Sequence, residues 1–299
     1  MPLAAFPKCF LNQICVDHTM SVDQWIDLAQ DFDIDGLEFY WGFTPWRDPA
    51  ELERIRRKVE DDGRSIPMMC YSPDFTKPDA AARFAEVKTS ATALQASAAL
   101  GVKFMRVLSG QKRPGVSREQ GIRWAAECIR SLLPAAEEAG IVLILENHYK
   151  DGFWEYPEFA QKQELFLELV DAIGPSPWFG VNFDPSNSLI AGEDPLVLLE
   201  AVKHRVVTMH ASDRYFTGGT LADLQHLDAN PVKGYADILQ HGVIGRGMND
   251  YDRIFSVLAQ EGFRGWISIE DGADPVKGPA DIAESALFLR DKMRRHGLR

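Results

Sequence analysis

Four apolar runs in this sequence end on side chains that bind cations or move protons. "IVLILEN" leads to Glu146, "FGVNFD" to Asp184, "RVVTMH" to His210 and "GWISIE" to Glu270. Taken singly, each has an ordinary reading. Glu146 is a solvated strand terminus, Asp184 before Pro185 starts a turn, His210 is a satisfied core histidine, and Glu270 caps the next segment. If the four runs are neighbouring strands, however, their ends meet. Three carboxylates confined together repel one another unless a cation sits among them. Three oxygen donors and one imidazole, with room left for a substrate, suit Mn(II) first and Co(II) or Mg(II) as alternatives, rather than a closed structural zinc.

Side chains two residues back share a strand face with these ends. They are Ile144, Asn182, Thr208 and Ser268, three of them polar in otherwise apolar runs. The sequence predicts that they orient the ligands from behind, with mutual hydrogen bonding as barrel filling the alternative.

The elements that must hold these residues alternate along the whole chain. "KCFLNQIC" reads as a first strand, followed by a helix opened by Ser21 and Gln24 at capping-box spacing. "IDGLEFY" (34–40), "IPMMCY" and "VKFMRVL" read as the next strands, with helices at 48–63, 79–100 and 117–140, the last kinked at Pro134. Helices at 158–173, 194–203, 249–262 and 279–296 follow the four ligand-bearing strands. Eight strand–helix units predict a parallel sheet closed into a (β/α)8 TIM barrel, one domain over 1–299, with active-site loops at 149–157 and 211–248. No GxGxxG follows a strand, so a dinucleotide fold lacks its fingerprint.

The totals narrow the function classes. The 299 residues carry a formal net charge of −12, which argues against a nucleic-acid groove lined with Lys and Arg. No run approaches the ~18 apolar residues of a membrane span. "MPLAAFPKCF" is too short and too broken by proline for a signal peptide. The four cysteines form no CxxC pair. A soluble cytoplasmic protein is the expectation.

"DGLEFY", "LILENH", "VNFDPSN", "VVTMHASD", "GVIGRGMNDYDRIF" and "GWISIEDG" resemble the xylose-isomerase-like sugar isomerase and epimerase superfamily over nearly the whole chain. Ketose 3-epimerases of that superfamily hold a divalent ion with Glu, Asp, His and Glu, and the two glutamates act as acid and base. By motif these roles fall on Glu146, Asp184, His210 and Glu270. The resemblance implies a keto-sugar substrate, a proton removed beside its carbonyl, and an enediolate stabilised by the ion. It departs from the epimerases at Asn187, where they have a substrate-binding histidine, and it matches their later arginine loosely, at Arg214.

Glu38, Asn187, Arg214 and His241 are the expected substrate contacts, and His148, two beyond Glu146, is an extra base or contact. Tyr40, Trp41, Trp46, Tyr71, Phe75, Phe153, Trp154 and Tyr156 surround the expected mouth and either stack on sugar or fill loops. "HGVIGRG" brings His241 and Arg246 into a glycine-rich lid. No phosphate cradle is evident, which favours an unphosphorylated substrate. The competing reading is a metal-dependent lyase that cleaves 3-oxo-glycosides by β-elimination, like the metal-containing subunits of C-glycoside deglycosidases. The partners expected are a small sugar and either a second copy of the chain or, for the lyase, a second subunit.

Overall fold

The computed structural model describes residues 1–43, 45–270, 272 and 274–298. Short parallel strands form the interior: β1 (Leu3–Ala5), β2 (Gly36–Leu37), β3 (Phe39–Tyr40), β4 (Met68–Cys70), β5 (Phe104–Val107), β6 (Val142–Glu146), β7 (Phe179–Phe183) and β8 (Val206–Ala211). After them come a hairpin, β9 (Asp213–Phe216) and β10 (Leu239–Gly242), and the last barrel strand, β11 (Trp266–Ile269).

The sheet runs β2-β1-β11-β8-β7-β6-β5-β4-β3. Its two ends are the two halves of one extended segment, interrupted only at Glu38, so the sheet closes on itself. All the pairings around it are parallel. The parallel barrel expected from the alternation is the observed fold.

Helices α1 (Leu11–Cys15), α2 (Val22–Leu28), α3 (Pro49–Asp61), α4 (Ala80–Ala99), α5 (Arg118–Ala139), α6 (Gln163–Ile173), α7 (Pro185–Ile190), α8 (Pro195–Val202), α9 (Tyr251–Gln260) and α10 (Gly278–Arg295) complete the fold. The capping box before α2 forms in both directions: Gln24 N–H donates to Ser21 Oγ at 3.1 Å, and Ser21 N–H donates to Gln24 Oε1 at 2.7 Å. Helix α5 runs through Pro134 and ends at Gly140, whose φ of 66° lies where glycine is favoured. The strands and the inner helix faces bury one continuous apolar core that includes Leu3, Leu37, Met105, Leu143, Val181 and Ile267. Among the described residues no helix is long and apolar enough to cross a membrane.

Three sequence expectations need correction. The first strand is Leu3–Ala5, not "KCFLNQIC", which forms a 3-10 turn and α1. Pro7 has no N–H for a ladder, and beyond it the buried Phe10 and Ile14 stand one helical turn apart. Helix α6 begins at Gln163 rather than 158, because Glu158 and Phe159 run extended against Gln111 and Gly110. The 211–248 loop contains the β9–β10 hairpin, with Arg214 opposite His241.

Candidate metal centre

The register of adjacent parallel strands brings the four sequence-predicted ligands to one end of the barrel. Glu146 closes β6, Asp184 follows β7, His210 lies near the end of β8, and Glu270 follows β11. One potential ligand atom from each lies within 4.8 Å of the others. Glu146, Asp184 and His210 are each 1% exposed.

His210 defines the orientation. Its Nδ1 lies 2.8 Å from Glu146 Oε1 and 3.3 Å from Glu270 Oε2. Its Nε2 lies 3.0 Å from Glu38 Oε1. Nδ1 therefore belongs to the ligand ring, and Nε2–H donates to a carboxylate behind it, the arrangement that aims and strengthens an imidazole ligand. Cys70 donates its thiol hydrogen to Glu38 Oε1 at 2.7 Å, and burial pushes that thiol up to about 12, so it stays neutral.

Two cations flank the ring. Lys8 Nζ donates to Glu270 Oε1 at 2.9 Å. Arg106 Nε lies 3.2 Å from Glu146 Oε2 but without hydrogen-bond alignment, so that buried oxygen accepts no hydrogen bond. Among the described residues no cation pairs with Asp184: Ser212 Oγ and Asn187 N–H donate to its Oδ1 at 2.8 and 3.1 Å. Burial, with the charges of Glu270 and Glu146, pushes its carboxyl up to about 7.

Burial would raise Glu146 and Glu270 too. Glu146 nevertheless sits below its ordinary value because His210 and Arg106 are beside it, and Glu270 sits well below because of Lys8 and His210. His210 is held well above its ordinary value against burial, chiefly by Glu38 and Glu146. In effect its proton occupies the place of a cation.

The donor set tests whether a metal fits. Among the described residues, Glu38, Glu146, Asp184 and Glu270 face two permanent cations, Lys8 and Arg106. Two negative charges remain, the charge of one divalent ion. The orphaned Glu146 oxygen and the three carboxylates meeting at a histidine Nδ1 fit such an ion.

The remaining predicted residues surround this ring. Asn187, at the start of α7, places Nδ2 3.4 Å from Glu146 Oε1. His148 lines a cavity of about 120 Å³ with Lys8, Arg106, Glu270, Tyr40 and Phe153. Its Nδ1 has no partner, and burial lowers its pKa to about 4. Arg214 and His241 stand on the hairpin and make no hydrogen bond to the ring.

Of the aromatic residues, Tyr40 stacks on Phe153 and Trp41 stacks on Trp46, while Phe75 is fully buried. Arg246 points outward to Glu284 of α10. Among the described residues, the polar residues two positions back make no hydrogen bond to the four candidate ligands. Thr208 donates to Asn182 Oδ1 at 2.8 Å, and the Asn182 Nδ2 and Ser268 Oγ have no partner, so they fill the barrel instead.

Sequence reasoning missed Lys8, Arg106 and Ser212. Lys8 was hidden by the misassigned first strand. Arg106 did leave a signal, a lone charge inside the apolar run "KFMRVL".

The chain is 24% identical over 190 residues to an inosose dehydratase of Bacillus thuringiensis (strain Al Hakam), across 60% of this chain and 58% of that relative's length. A solved D-psicose 3-epimerase, determined in the presence of D-fructose, superposes with a TM-score of 0.73 at 15% identity, covering 98% of this chain and 99% of that one. The IOLI protein with a bound zinc atom superposes with a TM-score of 0.71 at 14% identity, covering 99% and 98%. At such identities the superpositions speak for the fold. The profile of the xylose isomerase-like TIM barrel family matches residues 26–292, and the chain belongs to that family.

Proposed function

We propose that this protein is a divalent-metal-dependent isomerase or epimerase of a keto-sugar, working by proton removal beside the carbonyl. The observation that carries this reading is the convergence of Glu146, Asp184, His210 and Glu270 within 4.8 Å at the carboxyl ends of the barrel strands, where barrel enzymes do their chemistry. These four residues would hold the ion, with Mn(II) the best match to the donors and Co(II) or Mg(II) alternatives. When bound, the ion polarises a carbonyl oxygen and stabilises the charge that develops on it, a contribution of several kcal/mol.

The chain supplies the rest. Glu146 or Glu270 takes the proton from the neighbouring carbon. His148, neutral and with a free Nδ1 in the cavity wall, is a further base or a substrate contact. Asn187, beside Glu146, and Glu38, behind His210, position the sugar hydroxyls and the ligand imidazole. Tyr40 and Phe153 stack on each other in the cavity wall and offer an apolar face to the sugar.

A second reading, a lyase acting by β-elimination, is favoured by Lys8. Its ammonium lines the same cavity and can hydrogen-bond a departing hydroxyl or glycosidic oxygen, stabilising the charge that develops there, while Glu270 holds the ammonium's own proton firmly in place. The inosose dehydratase relative supports this outcome.

Turnover of ketoses, 3-keto-sugars and 3-oxo-glycosides by the Mn(II)-loaded protein in heavy water tests both. One deuterium on a carbon beside the ketone is expected for an isomerase or epimerase, and an unsaturated keto product for a lyase. Product with no solvent label at any carbon would sink the proton-transfer reading.

A further inference from the structure

The β9–β10 hairpin buries a charge that has no counter-charge among the described residues. Arg214 is 1% exposed, and its Nε and Nη1 have no acceptor. Among the described residues no carboxylate pairs with it. Its guanidinium lies over the faces of Tyr235, at 4.7 Å, and Tyr149, at 5.9 Å. An arginine stays protonated even when buried, and an unpaired buried charge costs more than two aromatic contacts return.

His241 stands directly opposite Arg214 across the hairpin, so both side chains share one face. Its Nδ1 is also without a partner. Burial, with Arg214 and Lys8 nearby, keeps the ring neutral, and it retains an N–H to donate.

The surroundings connect the pair to the metal ring through His241, with Arg214 behind the wall that Tyr235 and Tyr149 form. His241 and Tyr235 line a cavity of about 320 Å³ with Lys8, Tyr149, Lys150 and Lys233. Lys8, Tyr149 and Lys150 also line the smaller cavity beside Glu270. Asp151 is the one carboxylate lining this larger cavity, and it already accepts from Ser72 Oγ at 2.6 Å.

We infer that the substrate is a keto-sugar acid whose carboxylate is received by Arg214 and His241 while its carbonyl end lies at the ligand ring. This rests on the enolising reading above and narrows its substrate class. The guanidinium fork pairs with a carboxylate or a phosphate, and the surrounding backbone favours the carboxylate. The backbone N–H groups of Gly245, Gly247 and Asn249, which would otherwise cradle a phosphate, already bind the Asp213 carboxylate.

The test titrates Mn(II)-loaded protein with D-fructuronate, D-fructose and D-fructose 6-phosphate, a matched set differing only at the far carbon. Fructuronate should bind at least about tenfold more tightly than fructose. Arg214→Met should abolish that preference, and Arg214→Lys should keep part of it. The metal-free melting temperature of Arg214→Met should equal or exceed that of the wild type, because an unpaired charge is removed. A lower one would mark Arg214 as structural and overturn the inference. Equal binding of fructose, tighter binding of the phosphate, or an unchanged ratio in both variants would also overturn it. Solvent labelling separates the two proposals: fructuronate preferred but never labelled leaves the subsite standing and removes the enolising reaction.

Discussion

Lys8 Nζ lies 2.9 Å from Glu270 Oε1, joining the turn after the first barrel strand to the residue after the last. The pair is largely buried, with side chains 16% and 12% exposed. It closes the ring of elements at the mouth and determines how negative the ligand set is.

Lys8→Met therefore separates binding from chemistry. It leaves Glu270 without its cation, which should destabilise the metal-free protein by about 3 kcal/mol. Affinity for Mn(II), measured by calorimetry, should rise, because the ion then meets one more unbalanced negative charge. If the reaction is an elimination, turnover should nevertheless fall. Unchanged turnover with tighter metal binding would restrict Lys8 to an electrostatic role.

Asp184 gives the metal-free protein a specific pH dependence. Its folded pKa of about 7 lies above the ordinary 3.8, so the fold favours the neutral acid. That contribution to stability is complete below the ordinary value and is lost as pH rises through about 7. In the presence of a chelator the wild-type melting temperature should fall more between pH 5 and pH 8 than that of Asp184→Asn. The same variant should bind Mn(II) at least about a hundredfold more weakly, beyond the range typical for losing an outer partner of a ligand. An identical pH profile in the two proteins would contradict the assignment.

The three candidate bases differ in what surrounds them, so their variants should differ in kind. Glu146→Gln and Glu270→Gln should each suppress solvent labelling by about a hundredfold or more while the fold persists. His148→Ala should raise KM with little effect on kcat if the ring only holds sugar, and should match the glutamate variants if it takes the proton. The comparison is made on kcat in metal-saturated protein, so that lost ligation is not mistaken for a lost base.

Asp213 secures the loop that covers the hairpin. Its carboxylate accepts from the backbone N–H groups of Arg214, Gly245, Gly247 and Asn249, at 3.0 to 3.1 Å. A Cβ at Gly247 would come within 2.2 Å of Asp213 Oδ1, so only glycine fits there. Asp213→Ala strands these donors and should destabilise the loop by about 2–3 kcal/mol. Faster amide exchange over 243–249 with the barrel strands unaffected is the expected signature. Loss of protection across the whole barrel would show instead that the loop and barrel unfold together.

Residue order alone carried the barrel and the four converging candidate ligand residues. Buried parallel strands read as continuous apolar runs, and the polar residue ending each run stands out against that background. Helix caps such as Ser21–Gln24 are local, and their hydrogen bonds form within one turn. Adjacent parallel strands then bring Glu146, Asp184, His210 and Glu270 together with no further information. Tertiary structure decided everything that joins distant segments. Lys8 meets Glu270 across 262 residues, and Glu38 meets His210 across 172. Such pairs depend on closure of the barrel and leave no periodic trace in the chain. The same holds for Arg214 and His241: each is an ordinary polar residue in a loop until the hairpin places them side by side, buried, and leaves the guanidinium without an anion.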